Sequence, residues 1–304
     1  MKSCVEWIFQ IAGAMQRQFE KTTNYLISLT KQMIGQKNLI IGGGAAMNCV
    51  MNGKLDKSKL YHDTHISYAP DDSGVAIGAT LLAYNRFFKQ KRKVYEVKSC
   101  YYGPEFSDKE VFSILNKYKI KFFKPNNLFK FAAQEIARKK LIGWFQDRME
   151  FGHRALGNRS ILADPRSSKI KETVNKAVKY RESFRPFAPA VLSEFSYKIF
   201  DMPEQRKVYF MERAYKIRKN WIKKIPGVTH IDGTGRVQTV DKKVNIKFYK
   251  LINEFNKITK VPVLLNTSFN LNGEPIVRSP EDAIRTFFSC GLDYLIIGSY
   301  VIAK

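Results

Sequence analysis

RMEFGHRALGNRSILADPR, residues 148–166, lies between two apolar runs at residues 141–145 and 160–163. The runs predict a buried strand on each side of a polar loop. The stretch itself contains four arginines and two glycines. Arginine binds planar oxyanions through a rigid fork of donors, and glycine lets the backbone approach a ligand closely. These residues therefore predict a site for a compact anion, and the alternative is a solvated surface loop with ordinary ion pairs.

Alternating helix and strand patterns surround this loop and predict an α/β unit. Ser107 and Glu110 have the spacing of a capping box at the start of the first helix. The predicted helices cover residues 107–118, 128–138, 167–178, 247–259 and 283–289, and further strands are predicted at residues 119–123, 261–265 and 292–297. The segment 195–224 gives no clear pattern.

The first hundred residues have a different pattern. A long amphipathic helix is predicted at residues 6–33, followed by a strand at 38–41, the glycines Gly42, Gly43 and Gly44, and a helix that starts within 45–50. A strand, a glycine turn and a helix present backbone N–H groups to phosphate, although a tight turn without a ligand has the same sequence.

A second strand and an apolar helix complete this first part, at residues 66–69 and 75–88. Asp72 lies between them and is predicted to cap the helix, or alternatively to bind a metal or nucleotide. The basic stretch 89–98 is the predicted linker. It divides the chain into domains at 1–95 and 96–304.

The composition narrows the cellular context. The chain has 304 residues, a formal net charge of +25 and four scattered cysteines without a CxxC pair. Reduced thiols, the absence of a signal-peptide pattern and the absence of a long apolar run favour a cytoplasmic protein without a membrane segment. Most of the excess charge is dispersed lysine without a nucleic-acid motif, which argues against nucleic acid as a partner.

Three further polar clusters follow predicted elements, KYRESFR at 179–185, HIDGTGR at 230–236 and NTSFN at 266–270. Together with the first loop they contain seven arginines: Arg148, Arg154, Arg159, Arg166, Arg181, Arg185 and Arg236. A buried cluster of one sign is unstable unless it binds anions, so these arginines predict a polyanionic substrate such as a nucleoside triphosphate, with or without an acyl phosphate. No Walker A, kinase, GxSxG or Ser–His–Asp pattern is present. The residues alone therefore indicate a phosphate-handling α/β enzyme.

These stretches together resemble one family, the O-carbamoyltransferases of nodulation-factor and antibiotic biosynthesis (NodU/CmcH type). The matching stretches are NLIIGGGAAMNCVMNGKL (38–55), APDDSGVAIGA (69–79), the loop at 148–166, RESFRPFAPAVL (181–192), HIDGTGRVQTV (230–240) and VPVLLNTSFNLNGEPIVRSPEDAI (261–284). They occur in the family's order and cover most of the chain.

The resemblance implies a two-part α/β fold. Residues 1–95 correspond to the last lobe of an actin-like (ASKHA, Kae-type) ATPase domain. Residues 96–304 correspond to an α/β domain similar to threonylcarbamoyl-AMP synthase (YrdC-like). Members of the family normally begin with a long further stretch that carries a metal-binding histidine pair, and His62 and His65 do not have its spacing. The chain therefore looks like a fragment, or one product of a split gene whose partner is a separately encoded N-terminal lobe.

The resemblance also implies an activity. The second part would use carbamoyl phosphate and ATP, with Mg²⁺, to form carbamoyl-AMP. The first part would then pass the carbamoyl group to a hydroxyl of a sugar or another small-molecule acceptor. An iron-type metal would assist at Asp72 if the missing lobe were supplied.

The family's functional residues map onto specific positions of this chain. Those implied to stabilise charge on the phosphates are Arg148, Arg154, Arg159, Lys179, Arg181 and Arg185. Those implied to contact the nucleotide are Gly42, Gly43, Gly44, Asn48, Asn266, Thr267, Ser268 and Asn270. His230 and Asp232 are expected to orient the carbamoyl group or a metal-bound water, and a structural role for His230 is an equal alternative. Glu150 and Glu182 are expected to pair with neighbouring arginines.

Two other functions remain open at this point. One is a threonylcarbamoyl-type tRNA-modification enzyme, which the basic charge would suit. The other is a nucleotide-binding remnant without catalytic activity.

Overall fold

A computed structural model describes residues 4–93, 97–182 and 184–304, with side chains from residue 6 onward. Its helices are α1 Cys4–Ile34, α2 Cys49–Ser58, α3 Gly74–Arg86, α4 Asp108–Lys117, α5 Leu128–Ala137, α6 Ile170–Val174, α7 Ser196–Ile199, α8 Lys219–Ile222, α9 Ile246–Thr259 and α10 Pro280–Phe288. Its strands are β1 Asn38–Ile41, β2 Asp63–Ile66, β3 Ile142–Phe145, β4 Arg159–Ala163, β5 Ala188–Leu192, β6 Arg213–Lys216, β7 Thr234–Val240, β8 Val263–Ser268, β9 Tyr294–Ile297 and β10 Tyr300–Ala303.

An eight-stranded mixed sheet forms the body of the second part, in the order β10-β9-β3-β4-β8-β5-β7-β6. Its central strands β3, β4 and β5 are buried along their whole length. Trp144 on β3 and Phe255 on α9 are among the largest fully buried side chains. Helices α5 and α9 pack against each other over this core, so the α/β class predicted from the sequence is confirmed.

Local sequence explains where the helices of this part begin. Ser107 and Glu110 form the predicted capping box of α4, and Ser279 with Asp282 forms a second one at α10. Asn245 caps α9 by accepting a hydrogen bond from the backbone N–H of Phe248. Such caps satisfy N–H groups that have no partner inside the helix.

The first part is smaller and more open. Strands β1 and β2 pair in parallel, and a small core forms around Ile27, Met51 and Leu55. Helix α3 contributes no buried residue, and α1 exposes several large apolar side chains, including Trp7 and Met15. Within the described residues, no helix combines the length and apolar character needed to cross a bilayer.

The two parts meet where α2 packs on β6. A Cβ atom at Gly53 would lie 1.9 Å from the carbonyl oxygen of Ala214, so only glycine fits here. Arg213 is buried beside this contact and pairs with Asp56 at 2.9 Å. The Arg213 guanidinium also donates to the backbone oxygen and hydroxyl of Thr64. A charge pair therefore fixes β6 against the first part.

Several sequence predictions need correction. The second strand lies at Asp63–Ile66 rather than 66–69, and residues 119–123 form only one isolated bridge, between Phe123 and Val301. The segment 195–224 contains β6, which was not predicted. Ser73 rather than Asp72 occupies the N-cap position of α3. Residues 94–96 of the predicted linker lie outside the described part of the chain.

The helix predicted at residues 167–178 is shorter and changes its form. Helix α6 covers Ile170–Val174 and continues as a π-helical turn over Asn175–Lys179. This turn ends where the backbone N–H of Tyr180 donates to the carbonyl of Asn175 at 2.7 Å. π-Helical turns are rare and occur often at functional sites.

Candidate functional site

One edge of the large sheet collects the predicted polar loops. Along this edge Phe145 pairs with Arg159, and Ser160 pairs with Ser268. Farther along, Ala188 pairs with Asn266, and Ala190 pairs with Gln238, which places Arg236 near the start of β5. The four loops therefore leave the sheet at the same edge, although they are far apart in sequence.

Arg154 and Arg236 are close to each other at this edge, and neither has a carboxylate or hydrogen-bond partner within the described residues. Burial and the nearby charge of Arg236 lower the pKa of Arg154 to about 10. Burial lowers the pKa of Arg236 as well. Two partly buried cations without counter-ions are unfavourable unless an anion binds between them.

Lys179 is 4% exposed and lies at the end of the π-helical turn. Its ammonium group donates to the backbone and side-chain oxygens of Ser268 and Asn270, at distances of 2.6 to 3.1 Å. Burial, assisted by the charge of Arg181, lowers the pKa of Lys179 to about 7. Lys179 therefore fixes the NTSFN turn and can change its charge near neutral pH.

Arg181 and Arg185 complete the cluster. The Arg181 guanidinium stacks over the ring of Phe187 at 4.6 Å. Burial, together with the charges of Arg185 and Arg236, lowers its pKa. Arg185 is half exposed and forms the predicted type of ion pair with Glu182, at 2.9 Å. We call Arg154, Lys179, Arg181, Arg185 and Arg236 the cationic corner.

His230 and Asp232 lie beside this corner on the turn that precedes β7. The Nδ1 atom of His230 is 3.0 Å from the Thr234 hydroxyl, and its buried Nε2 atom has no partner. Burial, with the nearby charge of Arg236, lowers the pKa of His230 to about 4, so this imidazole is neutral near pH 7. Asp232 accepts hydrogen bonds from the backbone and hydroxyl of Thr234, and it therefore holds the turn.

The polar side chains on β8 have different positions. Asn266 is 1% exposed and donates to the carbonyl of Ala155 and to Gln238. It therefore supports the loop that carries Arg154. Thr267 pairs with Ile161 in the sheet. Ser268 and Asn270 share one short hydrogen bond and lie against Lys179.

The glycine turn of the first part lies next to Arg154. Gly42, Gly43 and Gly44 are exposed, and the N–H of Gly43 donates to the carbonyl of Pro70. Met47, Pro70 and Arg154 line one small cavity. The Asn48 side chain caps α2 and bonds to Gln16.

Asp72 is exposed, and the described residues contain no cluster of three histidine, cysteine, aspartate or glutamate side chains that could hold a metal ion. The residues present therefore do not form a metal site at Asp72 by themselves.

The prediction that all seven arginines share one pocket is wrong for three of them. Arg159 is fully buried and stacks on Phe145 at 3.6 Å. Its guanidinium donates to the carbonyls of Gln146, Asp147, Asn158 and Pro104. Arg148 is exposed and lies 3.4 Å from Glu105, and Arg166 forms a close pair with Asp164.

Glu150 also differs from its prediction. Its carboxylate accepts hydrogen bonds from the backbone N–H groups of Leu156 and Asn158, at 2.6 and 2.8 Å. It therefore shapes the arginine loop instead of pairing with an arginine. The sequence did not single out Asn175, because it lies on an ordinary helix pattern and acquires its neighbours only in the fold.

Comparison with known proteins matches both parts of the chain. A family model described as the carbamoyltransferase C-terminus covers residues 133–304, and one described as the carbamoyltransferase N-terminus covers residues 3–81. The chain belongs to the carbamoyltransferase family. The whole cationic corner and the NTSFN turn lie in the region that the first of these models matches.

Individual relatives extend over nearly the whole chain. Nodulation protein NolNO of Sinorhizobium fredii is 41% identical over 97% of this chain and 44% of its own length. Nodulation protein NolO of Bradyrhizobium diazoefficiens is 38% identical over 97% of this chain and 54% of its own length. The chain therefore spans about half the length of these carbamoyltransferase-family relatives.

Among solved structures, full-length HypF in its phosphate- and nucleotide-bound form has a TM-score of 0.38 and 14% identity. It covers 58% of this chain and 22% of the HypF chain. A likeness at this level does not define a fold.

Proposed function

We propose that this chain is the adenylate-forming part of an O-carbamoyltransferase, which binds ATP and carbamoyl phosphate and produces carbamoyl-AMP. The observation that carries the proposal is the cationic corner, where Arg154 and Arg236 lie together without a counter-ion among the described residues. Phosphate groups would supply the missing negative charge. The fold details implied by the resemblance, an actin-like lobe followed by a YrdC-like domain, belong to the same proposal.

The proposed reaction has two covalent steps. Water first cleaves carbamoyl phosphate to carbamate and inorganic phosphate. A carbamate oxygen then forms a bond to the α-phosphorus of ATP, and the bond from that phosphorus to the pyrophosphate oxygen breaks. Pyrophosphate leaves with that electron pair, and carbamoyl-AMP remains.

The residues of the corner have distinct parts in this proposal. Arg154 and Arg236 would neutralise charge that builds on the phosphate oxygens, and Arg181 and Arg185 would bind the leaving pyrophosphate. Lys179 would hold the Ser268–Asn270 turn against the nucleotide. His230, being neutral and having a free Nε2 atom, would hydrogen-bond the carbamate.

The described residues fit the two predicted metal ions, Mg²⁺ and an iron-type metal, to different degrees. Mg²⁺ would enter with the phosphates of ATP, because Glu182 and Asp232 near the corner are already bonded to Arg185 and Thr234. The described residues do not provide an iron-type site at Asp72, so no step of this proposal passes through a metal there.

In this proposal, the transfer of the carbamoyl group to an acceptor needs more of the protein than this chain contains. Since the chain spans about half of their length, transfer to a hydroxyl of a sugar or another small molecule would need a further lobe, either separately encoded or supplied by a longer chain. We therefore expect this chain alone to form carbamoyl-AMP and to transfer it poorly.

The test is a labelling experiment with carbamoyl-[¹⁴C]phosphate, ATP and Mg²⁺. Labelled carbamoyl-AMP and an equal amount of pyrophosphate are expected. Label that enters an adenylate only from bicarbonate and threonine would instead indicate the tRNA-modification function. No adenylate from either donor, with ATP still bound, would indicate the nucleotide-binding remnant.

Variants connect that reaction to the corner. Arg154→Met and Arg236→Met are each expected to lower the rate of adenylate formation by about 100-fold or more, since each removes a fixed donor from the phosphates. Arg138→Met is the matched control, because Arg138 is exposed and pairs with Glu135 at the end of α5. Equal rates in all three variants would contradict the assignment.

A further inference from the structure

An open cleft of about 630 Å³ lies beside α6 and the π-helical turn. Arg181 lines this cleft and is also close enough to Arg236 for the two charges to interact. The cleft therefore adjoins the cationic corner. A ligand with an anionic end at the corner could extend its other end into this space.

Asn175 points to what the cleft would bind. The residue lines the cleft, is only 7% exposed, and its Oδ1 atom accepts a hydrogen bond from the Nε atom of Arg181 at 3.3 Å. Its Nδ2 atom is buried and has no hydrogen-bond partner. A buried donor without a partner costs free energy, so few exist in folded proteins without a functional reason. The Asn175 amide therefore offers a ligand an unused donor at Nδ2.

Tyr180 supplies a second, independent indication. It follows the π-helical turn directly and has a left-handed backbone with φ of 44°, which is uncommon for a residue with an aromatic side chain. The Tyr180 ring lines the cleft and is 63% exposed. An exposed aromatic ring held in this position offers a flat apolar face to a planar ligand.

We propose that this cleft binds the purine base and ribose of the nucleotide whose phosphates lie at the cationic corner. Tyr180 stacks on the base, and Asn175 donates from Nδ2 to a ring nitrogen of the purine. This inference rests on the proposed function, because it extends the same ATP molecule from its phosphates to its base. It adds that recognition of the base depends on the π-helical turn.

The test compares two ligands by titration calorimetry, ATP and inorganic tripolyphosphate, which has phosphates but no base. Tyr180→Ala and Asn175→Leu are each expected to weaken ATP binding about tenfold, the usual size of one stacking or hydrogen-bond contact to a base. Tripolyphosphate binding by Tyr180→Ala is expected to stay within about twofold of wild type, because Tyr180 does not belong to the corner. Asn175→Leu also removes the hydrogen-bond acceptor of Arg181, so its contact with the base is tested by the deaza analogues below. Arg236→Met is expected to weaken both ligands.

Matched controls separate recognition from folding. Tyr180→Phe keeps the ring and is expected to bind ATP as wild type does. Lys257→Ala changes an exposed side chain outside the cleft, which pairs with Glu254 on α9, and is also expected to bind normally. If Asn175→Leu fails to fold, which thermal unfolding would show, the Tyr180→Ala and Tyr180→Phe pair decides the question.

Deaza analogues identify the hydrogen bond. Among 1-deaza-, 3-deaza- and 7-deaza-ATP, one is expected to bind wild type more weakly than ATP, and this difference is expected to vanish in Asn175→Leu.

Three outcomes overturn the inference. If Tyr180→Ala leaves ATP binding unchanged, or weakens ATP and tripolyphosphate equally, the cleft does not hold the base although the cationic corner still binds phosphate. If wild type loses no affinity with any deaza analogue, the Asn175 contact is wrong. If wild type binds neither ATP nor tripolyphosphate, the proposed function fails and this inference fails with it.

Discussion

Two corners of the same sheet edge treat buried arginine in opposite ways. At the β3–β4 corner, Arg159 is fully enclosed, stacks on Phe145 and donates to four backbone carbonyls. At the β5–β7 corner, the terminal guanidinium nitrogens of Arg236 and of its neighbour Arg154 have no such partners among the described residues, whereas the Nε atoms of Arg159 and Arg236 are both buried without a partner. Burial lowers the pKa of Arg159 and of Arg154 alike, to about 10 in each case.

The difference teaches that burial does not by itself identify an anion site. A guanidinium group has five donors. Where backbone carbonyls take these donors, the arginine serves the fold. Where the donors remain free beside a second cation, they are available to a ligand. The state of the donors therefore separates a structural arginine from a candidate binding arginine.

The largest expected effect is a difference in stability between variants of Arg159 and Arg236, and its absence would contradict the comparison of the two corners. Arg159→Leu is expected to lower the free energy of unfolding by about 4 kcal/mol, because it leaves several buried carbonyls without a donor. Arg236→Met is expected to leave the free energy of unfolding unchanged or to raise it, because it removes an unpaired charge. Urea denaturation of both variants measures the contrast, and equal losses would show that the two corners do not differ.

A smaller effect sharpens the role of Lys179, whose pKa is about 7. Below this pH the ammonium is charged and attracts anions, and above it the amine is neutral. The ratio of the ATP dissociation constants of Lys179→Met and wild type is therefore expected to shrink about three- to tenfold between pH 6 and pH 8. Titration of ATP itself cancels in this ratio, and His230, with a pKa of about 4, is neutral throughout. A constant ratio would assign Lys179 a structural role only.

The smallest effect concerns Arg148, which is exposed and lies 3.4 Å from Glu105. Arg148→Ala is expected to change the free energy of unfolding by less than about 0.5 kcal/mol, the usual range for an exposed ion pair. Adenylate formation is expected to continue at the wild-type rate. A tenfold loss of that activity would show that Arg148 is part of the site and that the cationic corner extends toward β3.

Much of the fold followed from local patterns in the sequence. The capping box at Ser107 and Glu110 was predictable because both partners lie within one helical turn. Strand β6 was missed because Arg213–Lys216, RAYK, lacks the pattern of a buried strand. Its arginine is buried against partners in the first part of the chain, which include Asp56 and Thr64.

The sequence predicted which residue types the site contains, but not which of those residues lie together in it. The sequence indicated a crowd of arginines but could not separate Arg159 from Arg236, because the carbonyls that surround Arg159 come from residues as distant as Pro104. The importance of Asn175 was hidden for a related reason. Its unpaired amide lies in the π-helical turn, and no local residue pattern predicts that turn.

The contact between α2 and β6 has a consequence for how such a protein could be divided. A cut between the regions matched by the two family models would leave Asp56 on one product and Arg213 on the other. Each product would then present a lone charge on a surface shaped for its complement, at the point where Gly53 admits no side chain. A natural or engineered cut at this place would thus create two fragments with complementary surfaces, and the opposite charges of Asp56 and Arg213 would favour their reassociation.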